Sequence, residues 1–249
     1  IALGAAMNGM RPIAEIEFAD FIWPTFNQLV GEAARARYGT NGRLEVPMVV
    51  RAPYGGGVRG GLYHSQSPEA FFAHTPGLKV VTPATPYDAK GLLKSAIRDN
   101  DPVIFLEHKR SYRLVKGEVP EMEYTLPIGK ADVKLYGENI SVITYGLMLH
   151  YCMESARDLA KEDISVEVVD LRTLRPLDID TVLQSVKKTG KVMIVHEDTK
   201  TGGIGGEVSA AISEQAFEYL DGPVIRLAGP EVPAMPFSCL LYTSDAADE

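Results

Sequence analysis

The sequence predicts an α/β protein of two tandem domains, each built on a parallel sheet covered by helices. Three observations predict it. Short apolar runs such as Val46-Pro47-Met48-Val49-Val50 and Val192-Met193-Ile194-Val195 show no polar alternation, the pattern of strands buried on both faces. Segments of helical length and period separate these runs. The charged, proline-bearing stretch Val119-Pro120-Glu121-Met122-Glu123-Tyr124 interrupts the rhythm once and reads as a linker running over the surface. This reading places a first domain at residues 1–118, a linker at 119–135, a second domain at 136–238 and a tail at 239–249.

Element by element, the Ala/Gly-rich residues 1–7 read as the middle of a buried helix whose N-cap is missing. No charged n-region or cleavage site precedes them, so they are not read as a signal peptide, and the chain is expected to be part of a longer one. Strands are expected at 12–16, 46–51, 79–83 and 102–107. Helices are expected at 21–38, 67–74 and 86–98, the first burying Phe26, Leu29, Val30, Ala33, Ala34 and Arg37. In the second domain, strands at 140–146, 165–170, 191–197 and 224–227 alternate with helices at 150–161, 179–188 and 207–219. The tail from Cys239 onward departs from this rhythm.

Composition narrows the function. Apolar residues make up 45% and charged residues 23%, as in soluble globular proteins. A net charge of −8 disfavours nucleic acid as a main partner, because a phosphate backbone requires a basic face. No stretch approaches the ~18 to 20 uncharged apolar residues of a spanning helix, so no membrane role is expected. Two distant cysteines, Cys152 and Cys239, point to a reducing compartment rather than a disulfide scaffold.

The most informative segment follows the strand at 46–51. Five glycines in the seven residues 55–61 allow positive φ and close approach to a ligand, and the loop then delivers His64 between short polar groups. Read from the residues alone, this is either an active-site wall or a flexible surface turn. A second glycine run, Thr201-Gly202-Gly203-Ile204-Gly205-Gly206, is not a dinucleotide fingerprint. Its spacing is wrong, it falls late in its domain, and no well-placed acid follows, so its glycines are expected to let a helix pack closely on the sheet. No histidine, cysteine and carboxylate cluster has metal-ligand spacing.

The ordered motifs carry a resemblance. Gly9-Met10-Arg11-Pro12, Glu15-Ile16-Glu17-Phe18-Ala19-Asp20-Phe21, Arg51-Ala52-Pro53-Tyr54-Gly55, His64-Ser65-Gln66-Ser67-Pro68-Glu69 and His74-Thr75-Pro76-Gly77-Leu78 open it. Asp170-Leu171-Arg172-Thr173-Leu174-Arg175-Pro176 and His196-Glu197-Asp198-Thr199-Lys200-Thr201-Gly202-Gly203 continue it. Over about residues 1–237 the chain resembles the beta subunit of the thiamine-diphosphate-dependent 2-oxo acid dehydrogenases, the decarboxylating component of those complexes. The resemblance implies a pyrimidine-binding domain followed by a transketolase C-terminal-like domain. It implies thiamine diphosphate shared with an alpha subunit that holds the diphosphate through Mg²⁺, in keeping with the absence of a G-D-G motif here. It further implies an α₂β₂ heterotetramer, docking to a dihydrolipoyl acyltransferase core, a small 2-oxo acid as substrate, and a cytoplasmic or mitochondrial-matrix location.

Residue by residue, the resemblance matches Phe21 to the aromatic lying against the aminopyrimidine ring. It matches His64 to the histidine that donates a proton during acyl transfer to the lipoyl arm, with Tyr63, Ser65 and Gln66 as its supports. Asp99 matches the carboxylate of a structural monovalent-cation site, usually K⁺, beside the backbone carbonyls of Ala96 and Asp101. His74, His108, His150 and His196 are read as structural, and Glu197 as a solvated or capping acid. The family glutamate that bonds the pyrimidine ring would fall before Ile1, and none of Glu15, Glu17 or Glu32 occupies its position. These 249 residues alone are therefore expected to be inactive. The Gly61–His74 wording is most like branched-chain members, with pyruvate and acetoin users open. A non-catalytic scaffold and a fragment of a single-chain transketolase-like synthase also stay open.

Overall fold

The computed structural model describes residues 1–233. Its first domain runs α1 (Ala2–Met7), β1 (Ile13–Glu15), a helical segment closing in α2 (Ala34–Gly39), β2 (Val49–Tyr54) and α3 (Glu69–Ala73). It continues through β3 (Lys79–Val81), α4 (Pro86–Arg98), β4 (Val103–His108) and the single turn α5 (Ser111–Leu114). The strands lie in the order β1-β2-β4-β3 and are all parallel. Val49, Val50, Ile104, Phe105 and Leu106 are buried on both faces, as their unbroken apolar runs require. The start of α4 is fixed by Pro86 in its first turn and by Thr85, whose hydroxyl accepts the Asp88 N–H at 3.1 Å.

The helix expected at 21–38 is a correction. Ala19–Phe21 and Trp23–Thr25 form two 3₁₀ turns, then Asn27–Ala33 is π-helical before α2 begins. Pro24, which has no N–H to donate, falls in the first turn of Trp23–Thr25, and these short turns leave Phe21 outside the longer helix. Leu29, Ala33 and Ala34 are buried as expected, but Arg37 is exposed and pairs with Asp101 at 2.8 Å.

The second domain comprises β5 (Asp132–Leu135), β6 (Ile140–Thr144), α6 (Met148–Leu159), β7 (Val166–Asp170), β8 (Thr173–Arg175), α7 (Ile179–Thr189), β9 (Val192–Thr199), α8 (Ile204–Ala216) and β10 (Ile225–Gly229). Its sheet has the order β10-β9-β6-β7-β5, with β5 antiparallel at the edge. The linker expected as far as residue 135 therefore ends earlier, because β5 pairs with β7. The linker is also pinned: Leu126 packs over Gly91 of α4, where a Cβ would meet its Cγ at 2.6 Å. The glycines before α8 serve close packing, since a Cβ on Gly205 would lie 2.6 Å from His196 Nε2. The stretch 239–249 lies outside the described residues.

One strand crosses between the domains. β8 belongs by sequence to the second domain yet adds antiparallel to β3 at the edge of the first sheet. Arg172, held at φ 56°, turns the chain there and sets its Nε 3.0 Å from Asp88 Oδ1, while Lys134 Nζ donates to Asp88 Oδ2 at 2.8 Å. One continuous core includes Phe72 and Leu78 from the first domain and Leu171, Val182 and Val208 from the second. Among the described residues no helix is long and apolar enough to cross a membrane.

Candidate active site

The candidate side chains gather where parallel strands end. In open α/β sheets, ligands bind outside the carboxyl ends of the strands. The turn after β1 carries Phe18, Asp20 and Phe21; the loop after β2 carries Gly55 to Ser67; β4 ends in His108 and leads into Lys109; and β9 of the second domain brings Glu197. The sequence folds this way locally because Gly55, Gly57 and Gly61 take φ of +84°, +77° and +66°. Gly55 must also be bare: a Cβ there would sit 2.1 Å from the His108 ring.

His64 and Phe21, which are 43 residues apart, are brought together. Their rings meet edge to face at 5.6 Å, and Phe18 meets His64 in the same manner at 4.7 Å. Such tilted contacts are the favoured aromatic geometry. Phe21 is 50% exposed, which leaves part of its side chain open to a ligand. Beside this cluster, a cavity of about 270 Å³ is bounded by Ser65 and Gln66 on one side and by Glu197, Asp198 and Thr199 on the other. A larger cavity of about 1300 Å³, bounded by Ala34, Tyr38, Gly77 and Pro176, contains neither His64 nor Phe21.

The supports of His64 differ from those expected. Tyr63 is exposed. Ser65 and Gln66 act through their backbones, donating N–H bonds to Asp20 Oδ1 at 3.0 and 3.2 Å, and the Gln66 side chain accepts from Trp23 Nε1 at 3.3 Å. Glu197 is neither solvated nor a cap. Its Oε1 accepts the Gly56 N–H, and its Oε2 faces His108 Nε2 at 2.5 Å. His108 Nδ1 accepts the Arg110 N–H, which leaves its proton on Nε2, pointing at Glu197. Burial works to raise the Glu197 carboxyl, but its bonds from His108 and Gly56 hold it below the usual carboxylate range. Burial lowers the Lys109 ammonium against the pull of Asp20, whose Oδ2 is 3.6 Å away. Asp20 and Lys109 escaped the sequence reading; an acid inside a buried aromatic motif was the available signal.

Around the cation site expected at Asp99, Ala96 and Asp101, the oxygens are met by the protein's own groups. Lys79 Nζ donates to both carboxylate oxygens of Asp99, at 2.6 and 2.7 Å, and also lies 3.3 Å from Asp101. The Asp99 carbonyl accepts from Arg11 at 2.7 Å, and the Ala96 carbonyl accepts the Asp99 N–H. Positive charge at the Asp99 carboxylate is thus supplied by the protein itself. Among the described residues no cluster of three or more His, Cys, Asp or Glu could hold a metal.

The fold defines a class: a transketolase-like pair of α/β domains. The family description "Transketolase, pyrimidine binding domain" matches residues 1–115, and "Transketolase, C-terminal domain" matches residues 129–244, running into the stretch expected to lie outside the family. The chain is 61% identical over 238 residues to the 2-oxoisovalerate dehydrogenase subunit beta of Bacillus subtilis (strain 168), covering 96% of this chain and 73% of that one. It is 51% identical over the same length and shares to the pyruvate dehydrogenase E1 component subunit beta of that organism. It is also 51% identical to the acetoin:2,6-dichlorophenolindophenol oxidoreductase subunit beta of Cupriavidus necator, covering 95% of this chain and 70% of that one. A solved split-gene transketolase, described as an inactive beta4 tetramer, superposes with a TM-score of 0.77 at 24% identity, covering 94% and 72% of the two chains, and bears on the fold alone. The chain belongs to the family of 2-oxo acid dehydrogenase beta subunits.

Proposed function

We propose that this beta subunit pairs with an alpha subunit in an α₂β₂ heterotetramer, acts on a branched-chain 2-oxo acid, and passes the acyl group to the lipoyl arm of an acyltransferase core. The observation that carries the site assignment is the edge-on contact of His64 with Phe21, whose side chain is left half-exposed. The substrate class rests on the 61% identity to the 2-oxoisovalerate subunit against 51% for the pyruvate and acetoin relatives.

Thiamine diphosphate is the cofactor this family implies, and the residues present fit it in part. The exposed part of Phe21 suits a flat heteroaromatic ring. The Mg²⁺ and diphosphate contacts belong in this proposal to the alpha subunit. When bound, the cofactor supplies the nucleophilic carbon and accepts the electrons released with CO₂. The chain's own residues orient and protonate. Phe21 would pack against the ring, and Phe18 and Phe21 hold His64 beside that position. Acyl transfer forms a bond from the acyl carbon to one sulfur of the lipoyl ring and breaks the S–S bond. The other sulfur leaves with the electron pair and takes up a proton. A ring N–H of His64 donates it, and the ring is reprotonated from solvent.

The test is the reconstituted holoenzyme assayed on pyruvate, 2-oxoisovalerate and acetoin. The highest kcat/KM is expected on 2-oxoisovalerate. His64→Ala is expected to lower transfer to a lipoyl domain by ~10²-fold; an unchanged transfer rate would remove His64 from this role.

A further inference from the structure

The glycine loop that ends at His64 has little stiffness of its own, because five of the seven residues 55–61 are glycine. It is nevertheless tied at both ends by carboxyl groups. At its start the Gly56 N–H is bound by Glu197 of the second domain; at its end the Ser65 and Gln66 N–H groups converge on one oxygen of Asp20. The two carboxyl groups are met by consecutive residues of one strand end. His108 donates to Glu197, and Lys109 faces Asp20.

We propose that Asp20 and Glu197 are positioning residues for His64, clamping its loop against β4 so that the imidazole keeps a fixed distance from Phe21. The proposal rests on the role assigned to His64 above. Three geometric facts support it. Asp20 and Lys109 are 8% and 7% exposed, which is costly for charged groups unless the pair is needed. Asp20 is adjacent to Phe21 in the 3₁₀ turn Ala19–Phe21, so its bonds to Ser65 and Gln66 join the segment bearing Phe21 to the residues immediately after His64. Lys109 Nζ also sits 5.2 Å over the ring of Phe18, which itself packs edge-on against the imidazole. The single ammonium therefore stabilises both the carboxyl group that pins the loop and the ring that packs on His64. Glu197 extends the clamp to the second domain, which by this arrangement takes part in placing a residue of the first.

A carboxyl group suits this task better than a hydroxyl or an amide. It accepts several backbone N–H groups at once, and charge-assisted bonds are roughly twice as strong as neutral ones. Replacing it with the isosteric amide keeps the shape but weakens the hold, so the loop should loosen without the fold being lost.

The experiment uses the alpha–beta holoenzyme with a full-length beta chain and follows two reactions: dye-linked decarboxylation of the 2-oxo acid, and acyl transfer to a free lipoyl domain. Asp20→Asn and Glu197→Gln are made alone and together with His64→Ala. Each is expected to lower acyl transfer by ~10-fold or more while changing dye-linked decarboxylation by less than ~3-fold. In the His64→Ala background each is expected to add less than ~3-fold, because a residue acting through His64 has nothing left to position. Equal losses in both backgrounds, or unchanged acyl transfer, overturn the proposal. If His64→Ala alone leaves transfer intact, the role of His64 falls first, and the positioning of it falls as a consequence. Should Asp20→Asn fail to fold, Lys109→Arg and Lys109→Gln decide: transfer kept by Arg and lost by Gln supports the clamp, and wild-type transfer with Gln overturns it.

Discussion

The hydroxyl of Tyr145 donates to Glu69 Oε1 at 2.8 Å, and that bond joins the end of β6 in the second domain to the first residue of α3 in the first. Both residues are buried, and the second Glu69 oxygen has no hydrogen-bond partner among the described residues. A carboxyl group so placed is held in its protonated form by burial first and by the charge of Asp198 second, and its pKa is pushed up to about 8. Asp198, also largely buried, is pushed up to about 6.

This sets a pH dependence of stability. The folded state holds the Glu69 proton more tightly than the unfolded chain does, so the contribution is full below about 4.5 and lost as pH rises to about 8. Glu69→Gln is expected to flatten urea-unfolding free energy over that window and to leave the variant more stable than the parent at pH 8, by on the order of 2 kcal/mol. A parent profile that is already flat would show that Glu69 is ionised in the fold.

A second prediction concerns the strand that crosses between domains. Asp88 is fully buried and is faced by Arg172 and Lys134. Arg172→Ala leaves buried negative charge short of a partner and is expected to cost about 3 kcal/mol, read by chemical denaturation. Lys161→Ala, which breaks only an exposed pair with Asp158, is expected to change stability by less than about 0.5 kcal/mol.

Neighbouring glycines of α8 should behave oppositely. An alanine Cβ at Gly205 would press on the His196 ring at 2.6 Å, and Gly205→Ala is expected to lose about 1 to 3 kcal/mol. At Gly206 the nearest contact is Arg226 Nη1 at 3.5 Å, and Gly206→Ala is expected to gain about 0.5 to 1 kcal/mol through helix propensity. Thermal melting of the two variants checks the contrast.

Phe21→Ala tests the exposed aromatic side chain. Half-exposed, Phe21 contributes little to the core, so the melting temperature should barely move. Loss of an aromatic contact worth about 0.5 to 1.5 kcal/mol should weaken thiamine diphosphate binding by ~2- to 12-fold in a titration of the holoenzyme. An unchanged affinity would place the ring of the cofactor elsewhere.

Much of the fold was legible because buried parallel strands write themselves as continuous apolar runs. β2, β4, β7 and β9 all fall within a few residues of their expected places. β5 and β8 did not, since three or four residues at a sheet edge carry too little pattern to stand out from a linker. The helix at 21–38 was drawn too regular because apolar periodicity does not register the turns around Pro24. The Lys79–Asp99 pair was not legible for a different reason: a motif names a carboxylate but not the lysine that folds against it.

By itself, the sequence determined the two α/β domains and the family, and its motifs singled out His64 and Phe21 as candidate site residues. Local apolar patterns and ordered motifs are properties of the linear chain. The tertiary structure alone decided what holds that pair in place. Asp20, Lys109, His108 and Glu197 come from segments separated by up to 177 positions, and the partners of a buried charge are set by which strand ends the fold brings together. Glu197, read from its sequence surroundings as a solvated acid, became a tie between domains for that reason.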